Sequence, residues 1–320
     1  ESGGDGLATY QKVFGKGLVE LGKMDERVVA ITGGMRDGTS TDLFEAAHPD
    51  RFFDVGIAEG HGVTFAAGLA TEGIRPVVAI YSTFLQRAYD NIVHDVALQD
   101  LPVVFAMDRA GIAGADGPTH HGTFDINYML SIPGMTVTAP KDGAELLALL
   151  RLGVNLGKGP LSVRWPRDSV PEPVPHIAEI PEVAYGSWEI LRDGSDVAIL
   201  AVGTMVREAA RAAEGLAREG IEAAVVNCRF LKPYDTVVLK GVLASHPCIL
   251  IVEEGAAVNG FGAFLSRELD GMEEARGVRV ESMGIPDSFV GHGGRAELLR
   301  EIDLDAMGIG ERARMMVHAG

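Results

Sequence analysis

The sequence predicts an α/β protein made of two doubly wound domains with mainly parallel sheets. Three observations carry that expectation. Short apolar runs alternate with helix-length segments from Arg27 to Trp165, and again from Val197 to Met283. Polar, glycine-rich loops follow several of these runs, and such alternation predicts a parallel sheet covered by helices on both faces. Between the halves, Pro171, Pro173, Pro175 and Pro181 fall close together and leave no room for a regular element. The expected division is a first domain over 1–167, a Pro-rich linker over 168–185 and a second domain over 186–320. The linker is expected to be extended and stiffened toward polyproline geometry.

The elements follow in order. Thr9 can cap a helix to about Met24, with Val13, Phe14, Gly17, Leu18 and Leu21 on one face. Arg27 to Thr32 reads as a buried strand, and Gly33 to Gly38 as the loop at its end. A short helix from Thr41 to Ala47 leads through Pro49 to a second strand, Arg51 to Val55. Gly56-Ile57-Ala58-Glu59 opens a helix of small residues that can pack very close to a neighbour. Pro76 to Tyr81 is the third strand, and Ser82 or Thr83 caps a helix expected to reach Leu98. Leu101 to Met107 is the fourth strand; Thr136 to Ala139 and Leu161 to Trp165 are further strands flanking a helix from Asp142 to Val154. In the second domain, strands are expected at Val197–Val202, Glu222–Asn227, Cys248–Glu253 and Val278–Met283. Helices are expected at Val206–Glu219 with Gly220 as C-cap, after Pro233, at Phe261–Leu269 and after Arg295.

Composition narrows the function. The 28 basic against 45 acidic residues leave a net charge of −17, which repels nucleic acid and anionic membranes and removes both as expected partners. A site for an anionic substrate must then be a local basic pocket. Cys228 and Cys248 have no CxxC spacing, which points to a reducing compartment, the cytoplasm, and away from a disulfide frame or a zinc site. No apolar run reaches membrane-spanning length. The N-terminus shows no secretory pattern, and Ser2 to Gly6 reads as a linker or a cut end.

The candidate chemistry gathers around Asp108 to Gly122, a glycine-rich loop after the fourth strand. Open α/β sheets place ligands at that edge. Arg109, and Arg167 after Trp165-Pro166, read either as surface ion pairs or as a two-arginine clamp for a phosphate or carboxylate. His120 and His121 are ordinary loop histidines or site residues; in extended chain only one of the two can face a site. They lack a third ligand at metal spacing, so no metal site is expected. Glu59 is either a dipole-compensating first-turn residue or a partly buried acid that hydrogen-bonds a cofactor. Phe84 is core or a stacking platform, and Tyr81 and Ser82 end the third strand beside the cleft.

Three strings then resemble a known family: Asp54-Val-Gly-Ile-Ala-Glu59, Ala79 to Asp90, and Asp108 to Gly122. With Val252-Glu-Glu254, Gly260-Phe-Gly262 and Gly284 to Val290, they resemble the 1-deoxy-D-xylulose-5-phosphate synthase family, transketolase-like enzymes that use thiamine diphosphate. The resemblance covers nearly the whole chain, but only the second (pyrimidine-binding) and third (C-terminal) of the family's three domains. It implies condensation of pyruvate with glyceraldehyde 3-phosphate and release of carbon dioxide. It gives Glu59 the bond to the cofactor's aminopyrimidine that promotes deprotonation of the thiazolium carbon, Phe84 the stacking face, and Ile57 a place beside the cofactor. Arg109 and Arg167 take the acceptor's phosphate, with Tyr81 and Ser82 nearby, and Asp116 and His120 lie near the substrate hydroxyls and reacting centre.

Two departures stand out. The family has Gln-His-Ala after the glutamate; this chain has Gly60-His61-Gly62, which should loosen that helical turn by roughly 1 kcal/mol per glycine. The domain that binds magnesium and the diphosphate is missing, and Gly4-Asp5-Gly6 has no following Asn in context to stand for it. The isolated chain is therefore expected to be inactive without that domain, supplied in cis or in trans, and a homodimer is implied by the resemblance. The alternatives are a subunit of a split transketolase, a protein like the β subunit of 2-oxo acid dehydrogenases, or a non-catalytic scaffold subunit.

Overall fold

A computed structural model describes residues 7–319. The Ser2 to Gly6 stretch and its Gly-Asp-Gly string lie outside the described residues. The first half runs α1 (Tyr10–Met24), β1 (Val28–Thr32), α2 (Asp42–Ala47), β2 (Phe52–Asp54), α3 (Glu59–Thr71), β3 (Arg75–Tyr81), α4 (Ser82–Leu85) and α5 (Tyr89–Asn91). It continues with β4 (Val104–Asp108), α6 (Asp125–Ser131), β5 (Thr136–Thr138), α7 (Gly143–Asn155) and β6 (Leu161–Arg164). The second half runs β7 (Glu189–Arg192), β8 (Val197–Ala201), α8 (Met205–Ala217), β9 (Ala223–Asn227), β10 (Phe230–Lys232) and α9 (Thr236–Ser245). It ends with β11 (Cys248–Ala256), α10 (Phe261–Leu269), β12 (Arg279–Ile285), α11 (Arg295–Glu301) and α12 (Ala306–His318).

The strands form a seven-stranded sheet, β10-β5-β6-β4-β3-β1-β2, and a five-stranded sheet, β12-β11-β8-β9-β7. Every pairing is parallel except β10 with β5 and β7 with β9. The apolar runs behave as covered strands should: every residue of β1, β4, β8, β9 and β11 is buried. The helices that cover them are amphipathic. Ala209, Ala212, Ala213 and Leu216 make the buried stripe of α8.

The structure differs from the sequence reading in three places. The helix expected from Ser82 to Leu98 is broken: α4 passes into a 3₁₀ turn at Gln86–Ala88, then α5, then a π turn at Ile92–Ala97. The π turn carries Ile92 and Val96 into the core together. β7 and β10 are additions, and β10 leaves the second half to close the far edge of the first sheet. The Pro-rich linker is not simply extended. It contains a 3₁₀ turn at Ile177–Glu179, and Val170, Ile177 and Ile180 are buried. Apolar residues between the prolines pack on α7, whose Arg151 donates to the Ile177 and Ile180 carbonyls at 2.9 and 2.8 Å.

Buried charge stitches the halves together. Arg164, at the end of β6, donates from Nε to Asp125 Oδ2 and from Nη2 to the Glu254 carbonyl, both at 2.9 Å. The two carboxylates of Val252-Glu-Glu254 do separate jobs. Glu253 accepts the backbone N–H groups of Phe261 and Gly262 at the start of α10. Glycine fits there because a Cβ on Gly260 would sit 2.5 Å from Glu253 Oε2, and one on Gly262 2.5 Å from Ser282 Cβ. Burial nevertheless pushes the Glu253 carboxyl up to about 7. Glu254 reaches back to the first half, accepting from the Ile112 N–H at 2.8 Å.

Candidate functional site

Because β1, β3, β4 and β6 run parallel, their C-terminal ends share one edge of the first sheet. The loops that leave this edge carry the sequence-predicted residues. After β2, Gly56 takes a left-handed conformation at φ +68°, and the turn delivers Glu59 as the first residue of α3. Glu59 is 3% exposed. One carboxylate oxygen accepts a 2.7 Å bond from Arg87 Nη1, and among the described residues the other has no side-chain donor. A dipole-compensating role alone would leave the carboxylate in water; here it is buried and paired.

Four side chains extend from Glu59 as a continuous stack. The Arg87 guanidinium carbon lies 4.9 Å from the centroid of the Phe84 ring. Phe84 stacks on Tyr81, centroids 5.7 Å apart and planes 21° from parallel. The Arg109 guanidinium carbon lies 3.8 Å from the Tyr81 centroid, a cation–π contact. His120 meets Phe84 edge-on at 5.3 Å. Phe84 and Tyr81 are only half-buried, so part of each aromatic ring is left exposed.

At the other end of the stack the two arginines meet. Arg167 Nη1 bonds Asp116 Oδ2 at 2.6 Å, and Arg109 Nε lies 3.8 Å from the same oxygen. Arg109 is buried, donates to the Gly38 carbonyl at 3.0 Å, and is held with φ +58°. That conformation is uncommon for a residue with a side chain, and strain of this kind collects at functional sites. Its neighbour Asp108 is fully buried and accepts the Arg109 N–H at 2.6 Å; burial pushes its carboxyl up to about 7 against the pull of Arg109. Arg167 is partly exposed, so the pair offers one fixed and one accessible guanidinium around a single carboxylate.

The remaining predicted residues separate. His120 faces the stack, while His121 is buried and structural: its Nδ1 accepts from the Ala113 N–H and its Nε2 donates to the Gly291 carbonyl, both at 2.9 Å. Those bonds fix its tautomer and tie the loop to the second half. Ser82 is 1% exposed, and its hydroxyl is packed against Gly122 without a partner. Ile57 is 85% exposed on the turn before Glu59. The glycine at 60 has a packing reason, since a Cβ there would come within 2.7 Å of Asn91 Oδ1.

Sequence reasoning gave no role to Arg87, although it partners Glu59. The signal was its place three residues after Phe84, which puts both on one face of a helical turn. Gly122 also has an unassigned role. A Cβ there would lie 2.4 Å from both the Arg109 carbonyl and Ser82 Oγ. Gly122→Ala should therefore destabilise the protein by about 1–3 kcal/mol, read as a lower urea midpoint. An unchanged midpoint would mean that the loop yields freely.

Residues 7–173 match the family model for the transketolase pyrimidine binding domain, and 186–309 that for the transketolase C-terminal domain. A 1-deoxy-D-xylulose-5-phosphate synthase of Geobacter sulfurreducens is 50% identical over 304 residues, 95% of this chain and 47% of the relative. The enzyme of the same name from Aquifex aeolicus is 49% identical over 98% of this chain and 49% of its own length. This chain thus spans about half the length of the curated relatives it matches. Among solved structures, one described as "Split gene transketolase, inactive beta4 tetramer" is 30% identical, with TM-score 0.86 over 98% of this chain and 99% of that one. A Pichia stipitis transketolase, 19% identical with TM-score 0.79 over 98% of this chain and 46% of its own, shares the fold.

Proposed function

The chain belongs to the transketolase family, and we propose that it forms the pyrimidine-binding and substrate-phosphate half of a 1-deoxy-D-xylulose-5-phosphate synthase. In this reading the complete enzyme condenses pyruvate with glyceraldehyde 3-phosphate to 1-deoxy-D-xylulose 5-phosphate and carbon dioxide. The observation that carries it is the continuous stack, with a buried carboxylate at one end and two converging arginines at the other. The identity to synthases of that name supports the choice of reaction.

The residues fit thiamine diphosphate. A recessed carboxylate with one free acceptor oxygen beside a half-buried aromatic face suits an aminopyrimidine ring. Glu59 would hold a proton on that ring, and Phe84 would fix its plane, with Ile57 on the flanking turn. When bound, the cofactor supplies a carbon nucleophile that accepts the electron pair left by loss of carbon dioxide. The chain's own residues would do the rest. Arg109 and Arg167 would grip the acceptor phosphate, Asp116 would keep the two arginines together, and Tyr81 with Ser82 would form the wall of that subsite. His120, edge-on to Phe84, would hold or move a proton at the acceptor's oxygen.

Magnesium and the diphosphate would be held by a domain outside these 320 residues, so these residues alone would not turn over. The relative described as an inactive β4 tetramer supports that view and a partner supplied in cis or in trans. A homodimer, and a cytoplasmic setting supported by two free buried cysteines, complete the proposal. The test is carbon dioxide release from pyruvate and glyceraldehyde 3-phosphate by the chain alone and with a diphosphate-binding domain added. Turnover only with the added domain is expected, and full turnover by the chain alone would refute this reading. A ketose phosphate replacing pyruvate as the better donor would instead favour a split transketolase.

Arg167→Ala in the completed complex should raise KM for glyceraldehyde 3-phosphate by about 10- to 100-fold, with little change in KM for pyruvate. Equal effects on both substrates would remove Arg167 from the phosphate subsite.

A further inference from the structure

A polar cavity of about 450 Å³ opens between the two halves, lined by residues outside the aromatic stack. Its walls carry Lys141, Arg207, Arg211, Arg295 and Arg300, against the carboxylates of Asp168, Glu208 and Asp305. Lys141 is held by Asp142, Glu145 and Glu189 outside the wall, which leaves four arginines lining the hollow with three carboxylates.

The three carboxylates are already engaged. Asp305 caps α12 by accepting the Gly308 N–H at 2.9 Å, and Glu208 accepts the Ala306 N–H at 3.2 Å. Asp168 receives Arg295 Nη1 at 3.0 Å. They therefore neutralise the arginines only in part: Arg300 stands 3.7 Å from Asp305, and Arg211 reaches Glu208 through a single 3.2 Å contact. Among the described residues, Arg207 has no carboxylate within ion-pair distance. Arg295 points the same way. Its terminal nitrogens bond Asp168, Thr204 and Glu254, yet its buried Nε has no acceptor. That nitrogen is sealed within the protein, and the 16% of the side chain left exposed is what Arg295 offers a ligand.

We propose that this interdomain cavity is a binding site for a small phosphorylated molecule, held by Arg207, Arg211 and Arg295. The volume suits a ligand of metabolite size. Guanidinium groups suit phosphate because they donate in planar pairs. The site adjoins the arginine pair at Asp116, since Asp168 follows Arg167, but neither Arg109 nor Arg167 lines it, and its existence does not depend on the reaction assigned above.

The test is calorimetric titration of the chain with inorganic pyrophosphate and, separately, glycerol 3-phosphate, which separates free phosphates from phosphomonoesters. Saturable binding by either is expected. Arg207→Ala with Arg211→Ala should weaken, on the order of tenfold or more, the binding that remains in the Arg167→Ala chain, where the other phosphate clamp is broken. Circular dichroism checks that the double variant folds; if it does not, Arg207→Gln alone, at an exposed position, replaces it. Absence of saturable binding, or binding lost with Arg167→Ala and kept without Arg207, would overturn the proposal.

Discussion

Glu59→Gln in the completed enzyme should lower the rate by about 10²- to 10⁴-fold, the range for removing a positioned proton-transfer group. Glutamine keeps the size of the side chain and one acceptor oxygen for Arg87, which lies 2.7 Å away. It cannot exchange a proton with a ring. Protein stability should change little, because the partner Arg87 is itself more than half exposed and water can take the place of the lost charge. KM for glyceraldehyde 3-phosphate should hold, since the arginine pair lies at the other end of the stack. Steady-state kinetics together with a urea midpoint separate these effects. A rate retained within about threefold would leave the chain as a scaffold without a catalytic carboxylate.

The largest effect on stability should come from Arg164→Ala, about 3–5 kcal/mol. Arg164 is 5% exposed and Asp125 is fully buried. Removing the guanidinium strands the Asp125 carboxylate in the core with only the Ile126 N–H, and also frees the Glu254 carbonyl. The penalty comes mostly from the uncompensated charge, not from the lost contact. Arg164→Met combined with Asp125→Leu should therefore recover much of the loss. Denaturant titration of the three variants checks this; a double variant no better than Arg164→Ala would place the cost elsewhere.

The architecture was legible because a strand buried on both faces is built around a continuous apolar run. β1, β4, β8, β9 and β11 each appear as such a run, within a few residues of their observed ends. β7 and β10 were not legible. They are short antiparallel edge strands with polar residues, and only a partner distant in sequence makes them strands. The break after Ser82 has a similar origin. Local propensity favours one helix, and packing of Ile92 and Val96 imposes another pitch. In the candidate site, strand-end position put Tyr81 and Arg109 on one edge, and the structure brings the two side chains into contact. It could not show that Ser82 turns into Gly122, because that depends on a backbone approaching from the next loop. Likewise, the adjacent histidines differ in role because Gly291, far along the chain, captures one of them.

The crossing of β10 bears on how this molecule can be divided. A truncation ending in the Pro-rich segment would keep every strand of the first sheet except the one lying against Thr138 and Val137. β5 would then offer unpaired amides and carbonyls to water and to other molecules, a template for sticky edge-to-edge association. The halves look separable in sequence, yet the first sheet takes its edge strand, Phe230–Lys232, from the second.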